Sequence, residues 1–108
     1  MRIMPFMNSW ERKIHFSKHG RKFGVISEEE YEHMADTFMF GDMAPPTREC
    51  VRPSLVDRLR FNRTNRHFGV ACVVPVFIRT FYPVEPMKIA RHGGPDLIFA
   101  FECGRINL

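Results

Sequence analysis

The spacing of apolar residues changes part-way along this chain, from a helical period to an extended one. Trp10 and Ile14 mark a stripe through 10–19, with Ser9 placed to cap its start and Gly20 to end it in a left-handed conformation. Ser27-Glu28-Glu29-Glu30 has the form of a capping box, and Ile26 and Tyr31 occupy the hydrophobic-staple positions around it. Tyr31, Met34, Ala35 and Phe38 then recur at i, i+3, i+4 and i+7, which predicts an amphipathic helix to about Met39, closed by Gly41. The glutamates of its first turn suit the helix dipole and read as structural.

Residues 41–48 hold two consecutive prolines and read as a linker, because proline stops both helix and sheet. Beyond it Leu59 and Phe61 alternate with Arg58 and Arg60 in a strand that starts near Leu55. A polar turn, 62–66, leads to a β-branched run over 67–74, and after Pro75 a second run covers 76–82 until Pro83 and Pro86 stop it. Strict alternation in that last strand sets Val76, Ile78, Thr80 and Tyr82 on one face and Phe77, Arg79 and Phe81 on the other. A guanidinium between phenylalanines requires a partly covered face, a neighbouring cleft, or a β-bulge that turns Arg79 out. Residues 87–94 read as a basic connection with a double-glycine stop. Pro95 opens a last helix that buries Leu97, Ile98, Phe101 and Cys103, a short strand being the alternative, and Gly104 ends it. The expected fold is α+β: two N-terminal helices packed on a three- to four-stranded antiparallel sheet, with a short C-terminal helix, in one domain over 1–108.

Composition adds a bias toward anions. Apolar residues at 44% and charged residues at 26% are ordinary globular usage and exclude a disordered chain. Sixteen Lys+Arg against twelve Asp+Glu give +4, and twelve of the sixteen cations are arginine, the side chain suited to bidentate phosphate contact. Cys50, Cys72 and Cys103 form no CxxC pair, so they read as core thiols of a reducing compartment and not as a disulfide frame or zinc site. No apolar run approaches the ~18 residues of a membrane span, and no signal-peptide pattern opens the chain. The expectation is a soluble protein that works inside a cell, with no membrane partner.

Chemistry concentrates at two places. His15, Lys18 and His19 share one helical face, at i, i+3 and i+4. Such a face can set a proton acceptor, a proton donor and a cation against a phosphate; equally, cations at a helix C-terminus have a purely structural use. The second place is Ile78-Arg79-Thr80-Phe81-Tyr82-Pro83, where Thr80 and Tyr82 project together. Arg58, Arg60, Arg63 and Arg66, with His67 beside them, form either a phosphate-binding stripe or a solvated turn. His33 and His92 stand isolated. His15 and His19 have zinc-ligand spacing, but no Glu lies between them and no third ligand is suggested, so no metal site is expected.

The ordered set His15-x-x-Lys18-His19-Gly20-x-x-Phe23-Gly24, Glu30-Tyr31-x-x-Met34-Ala35-x-x-Phe38, Arg60-Phe61-Asn62-x-Thr64-Asn65-x-x-Phe68-Gly69-Val70 and Ile78-Arg79-Thr80-Phe81-Tyr82-Pro83 resembles bacterial toxin domains of the barnase–EndoU–colicin–RelE (BECR) nuclease superfamily. The resemblance covers roughly 15–83. It implies a metal-independent endoribonuclease without a small-molecule cofactor, carried as the toxic end of a delivered effector, acting in a target cytoplasm and blocked by an immunity protein. It gives catalytic or substrate-contacting roles to His15, Lys18, His19, Arg79 and Thr80. Such domains usually have a glycine-containing hairpin where this chain has Val73-Val74-Pro75-Val76.

Cleavage through the 2′-hydroxyl needs a base, an acid and donors for the charge that grows on phosphate. His19 is the expected base or acid, with His15 or Tyr82 as its partner, Arg79 and Lys18 stabilising the transition state, and Thr80 donating to a phosphoryl oxygen. The product would be a 2′,3′-cyclic phosphate, with tRNA among the candidate substrates. The competing expectations are a non-catalytic nucleic-acid-binding module using the arginine-rich face, and an interaction module in which both histidines merely finish a helix.

Overall fold

Tyr31 is the residue around which the helical half is built. It is fully buried, ringed by Phe6, Phe16, Phe23 and Phe81 at centroid distances of 5.8–6.2 Å, and its hydroxyl donates to the carbonyl of Phe81. That bond satisfies the one polar atom an aromatic core of this kind must bury. The computed structural model describes residues 5–25, 27–53 and 57–105.

Helix α1 spans Ser9–His19 and is capped by Asn8, whose side chain accepts from the Glu11 amide; the cap lies one residue before the expected Ser9. Gly20 is not the left-handed stop. Its φ is −56°, and the chain continues through a 3-10 turn, Gly20–Phe23, to Gly24, whose φ of 73° supplies the left-handed residue. Gly20 is required for space instead, because a Cβ there would lie 2.6 Å from the Phe16 ring. Helix α2, Glu28–Phe40, begins as its sequence dictates: the Glu30 amide donates to Ser27 Oγ at 3.1 Å and the Ser27 hydroxyl meets Glu30 Oε1 at 3.5 Å. Ile26, the other staple position, lies outside the described residues.

Four strands follow: β1 Thr47–Val51, β2 Asp57–Asn62, β3 His67–Val73 and β4 Val76–Pro83, in the order β1-β2-β3-β4, all neighbours antiparallel. Strand β1 occupies the end of the expected linker. Its alternation is too short and too polar to be seen locally, and its pairing with β2 forms it. Leu55 lies outside the described residues. A two-residue turn, Val74-Pro75, sets Val73 opposite Val76, so the hairpin closes tightly without a glycine.

Helices α1 and α2 cover one face of the sheet over Phe6, Tyr31, Ala35, Met39, Ala71, Ile78 and Phe81. Gly69 allows that approach, since a Cβ there would lie 2.5 Å from Met39 Sδ. The opposite face carries Leu59, Phe61, Phe68, Val70 and Val84, covered by Ile98 and Phe99 of helix α4, Pro95–Gly104. Before it, helix α3, Pro86–Arg91, replaces the expected connection. Pro95 opens α4 as anticipated, but its buried side is Ile98, Phe99 and Glu102, whereas Leu97 and Phe101 are 58% and 52% exposed.

Cys50 of β1 and Cys103 of α4 are joined by a disulfide, with Cα atoms 6.1 Å apart, and Cys72 alone is a buried free thiol. This corrects the expectation of three core thiols. Spacing along the chain carries no trace of a pair 53 residues apart whose partners meet only after the sheet and α4 have packed.

Candidate functional site

Arg79 is placed by a β-bulge. Val70 pairs with Thr80 and Ala71 with Ile78, so Arg79 has no partner residue of its own in the ladder. The slip brings Ile78 and Phe81 onto the face covered by α1 and α2 and separates Arg79 from Phe81. Its Nε donates to Asp57 Oδ1 at 2.7 Å, and its guanidinium stays within 5.3 Å of the Phe77 ring while 42% of the side chain remains exposed.

Arg79, Thr80 and Tyr82 line a groove of about 300 Å³ together with Arg52, Glu102 and Arg105. Two buried carboxylates organise it. Asp57, 1% exposed, takes Arg79 on one oxygen and has Arg52 3.7 Å from the other. Glu102 takes Arg52 and Arg105 at 3.1 Å each, with Lys88 at 3.8 Å, while Arg52 Nε also donates to the Glu102 carbonyl. Four cations against two carboxylates leave an excess of two positive charges. Burial of charge at this depth persists only with such full pairing. Arg52 is sequestered, whereas half of the Arg105 side chain is exposed, so Arg79 and Arg105 retain donors for an anion.

The histidines approach from the β4 edge of the sheet. His19 stacks on Tyr82 at 5.0 Å and 26°, and His15 lies behind it, 6.0 Å from His19 and 5.6 Å from Phe6. The Nδ1 atoms of both are buried without a hydrogen-bond partner among the described residues. Burial, with Lys22, His15 and Lys18 nearby, pushes the His19 imidazole down to about 4; burial likewise lowers His15, opposed by Glu11 and aided by Lys18. Both are therefore neutral at pH 7. Tyr82 stays protonated, because burial and the Glu102 charge raise its phenol above the ordinary value. Lys18 is exposed on α1.

The arginine stripe does not form as one surface. Arg60 is 7% exposed, and its guanidinium donates to Glu49 and to the carbonyls of Phe38 and Gly41 at the end of α2. It caps that helix and is not free to contact RNA. Arg58 pairs with the same Glu49 at 2.9 Å. Arg63, at the turn, meets Asp96 at 3.4 Å, and Arg66, with φ of 66°, donates to the Val84 carbonyl. His67 is half-buried among Phe23, Phe38 and Phe81, and burial, then Arg66, lower its imidazole.

Arg52, Asp57, Glu102 and Arg105 were not among the expected site residues. One signal existed: Glu102, a carboxylate one position before Cys103, interrupts the apolar run over 97–103.

The three depressed histidines make stability depend on pH. Their unfolded value is near 6.5 and the folded values are lower, so the unfolded chain binds more protons in between. Their contribution is complete above about pH 6.5 and is lost as pH falls, with a slope of up to about 1.4 kcal/mol per pH unit for each histidine. Denaturant unfolding at pH 7.5, 6 and 5 should show falling stability; a flat or rising trend would refute it.

Among the described residues, no group of three or more His, Cys, Asp and Glu gathers as a metal site, and no helix there is long and apolar enough to cross a membrane. Neither a family model nor a curated protein sequence matches this chain.

Proposed function

We propose that this protein is a metal-independent endoribonuclease of the bacterial toxin type, related to the BECR nucleases. The observation that carries this is the stack of His19 on Tyr82, since the Tyr82 phenol lines the same groove as Arg79, Thr80 and Arg105. A neutral imidazole with a free lone pair accepts the 2′-hydroxyl proton. The protonated Tyr82 hydroxyl donates to the departing 5′-oxygen, which as an alkoxide is far more basic than phenolate. Arg79, Arg105 and the Thr80 hydroxyl hold the charge that develops on the phosphoryl oxygens. His15 packs behind His19 and orients it. Lys18 supplies positive potential along the approach.

RNA is the substrate and tRNA one candidate. An immunity protein would present carboxylates to the same groove. The site of action is the cytoplasm of a target cell; the disulfide suits passage through an oxidising space as part of a secreted effector.

A second possibility, a binding module without turnover, is favoured by the depth at which both Nδ1 atoms are buried. Incubating purified protein with total RNA, with and without chelator, and with a matched 2′-deoxy oligonucleotide separates the two. Expected are chelator-resistant RNA fragments ending in a cyclic phosphate and intact DNA. Binding of both polymers without cleavage would leave the binding module.

A further inference from the structure

A second concavity lies on the α2 side of the sheet, away from the arginine groove. It has a volume of about 320 Å³ and is bounded by the last turns of α2, the segment 42–47, the 62–65 turn and β3 and β4. Among the described residues no Arg or Lys lines it, so its chemistry is not that of a phosphate site. Met34 and Phe38 supply thioether and aromatic surface over the fully buried Phe81, the kind of surface on which a flat ring stacks. Polar groups line it as well: Thr47 and Asn62, bonded to each other, His33 and Thr37 of α2, and the Asp42 carboxylate, the Asn65 amide and the His67 imidazole.

The last three of these groups are free to act on a ligand. Asp42 is exposed and makes no ion pair or hydrogen bond with the described residues. Asn65 uses its Oδ1 to accept the His67 amide, which leaves its NH₂ as two donors. Among the described residues the His67 ring packs on Phe23, Phe38 and Phe81 and makes no hydrogen bond, so its nitrogens keep one donor and one acceptor. The walls are fixed in advance. Arg60 ties the Gly41 carbonyl to β2, and Asn62 donates to Thr47 Oγ1 while accepting the Thr64 and Asn65 amides. A neutral planar heterocycle with N–H donors and ring acceptors matches an apolar platform edged by a carboxylate, an amide and an imidazole.

We propose that this pocket binds a nucleobase, stacked on Phe38 and read along its edge by Asp42, Asn65 and His67. It would capture an unpaired base of the RNA on the sheet face opposite the groove. The choice of a nucleobase rests on the ribonuclease proposal; the pocket's discrimination against anions does not.

The test uses free nucleosides, which lack the phosphate that the arginine groove needs. Adenosine, guanosine, cytidine and uridine are titrated into the labelled protein, and amide shifts are followed. Saturable shifts at Asp42, Asn65 and His67 are expected for at least one nucleoside, its affinity falling at least tenfold in Asp42→Ala and remaining unchanged in Arg105→Ala. Asp42→Asn keeps the volume and should alter which nucleoside binds best. No saturable shift with any nucleoside, shifts centred on Thr80 and Tyr82, or equal affinity in Asp42→Ala would each overturn the proposal. Cleavage of total RNA by the same preparation is read separately, so loss of the base pocket and loss of the ribonuclease function give different results.

Discussion

Replacing His19 with alanine is expected to slow RNA cleavage by about 10²- to 10⁴-fold, the contribution of a positioned general base. The variant removes the imidazole that stacks on Tyr82 while leaving the ion pairs of the groove intact. RNA affinity should therefore change far less than turnover. Tyr82→Phe, which keeps the stacked ring and deletes only the hydroxyl, should also lose turnover, whereas Lys13→Ala, on the exposed side of the same helix, should not. The pH profile gives a sharper check. A base must be deprotonated to act, and the His19 imidazole is held at about 4 by burial and neighbouring cations. The acid limb of kcat/KM, which reports the free enzyme, should thus fall near pH 4 and not near 6.5. Equal rates in His19→Ala and the parent protein would remove His19 from the mechanism.

Breaking the Cys50–Cys103 disulfide, by reduction or by Cys50→Ser, is expected to lower stability by on the order of 4 kcal/mol. This is the loop-closure value for a 53-residue separation. For a domain of this length it corresponds to a fall in Tm of roughly 15–30 °C. The bond links edge strand β1 to the last turn of α4, next to Glu102, which holds Arg52 and Arg105 in the groove. Reduction should therefore loosen the groove wall as well as the fold, and RNA binding should weaken before global unfolding. Thermal melts and thiol titration with and without reductant check this. Three reactive thiols in the unreduced protein after denaturation, or identical melts, would contradict the bond.

Several features were legible because their causes are local. The Ser27–Glu30 cap, the stripe of Tyr31, Met34, Ala35 and Phe38, the polar 62–66 turn and the Pro95 start are each decided within a few residues. The conflict posed by Arg79 between phenylalanines was also visible, and a bulge was one of its stated solutions. The candidate site was legible only in part. Tyr82, Arg79 and Thr80 line one groove and His19 stacks on Tyr82, but Arg52, Asp57 and Glu102, which fix the groove's charge, come from β1's end, β2 and α4.

The sequence by itself determined the α+β class, the two N-terminal helices, three of the strands, the last helix and the excess of arginine, because propensity, capping and alternation act over short stretches of chain. Only the tertiary structure decided which arginines are free. Arg60 and Arg58 look alike in a strand, yet Arg60 lies under the end of α2, where the carbonyls of Phe38 and Gly41 take its donors. Strand β1, the buried face of α4 and the disulfide were settled in the same way. Strand β1 depends on pairing with the strand after it, and the α4 face and the disulfide on partners tens of residues distant; the energy of such contacts exists only once the chain has brought both sides together.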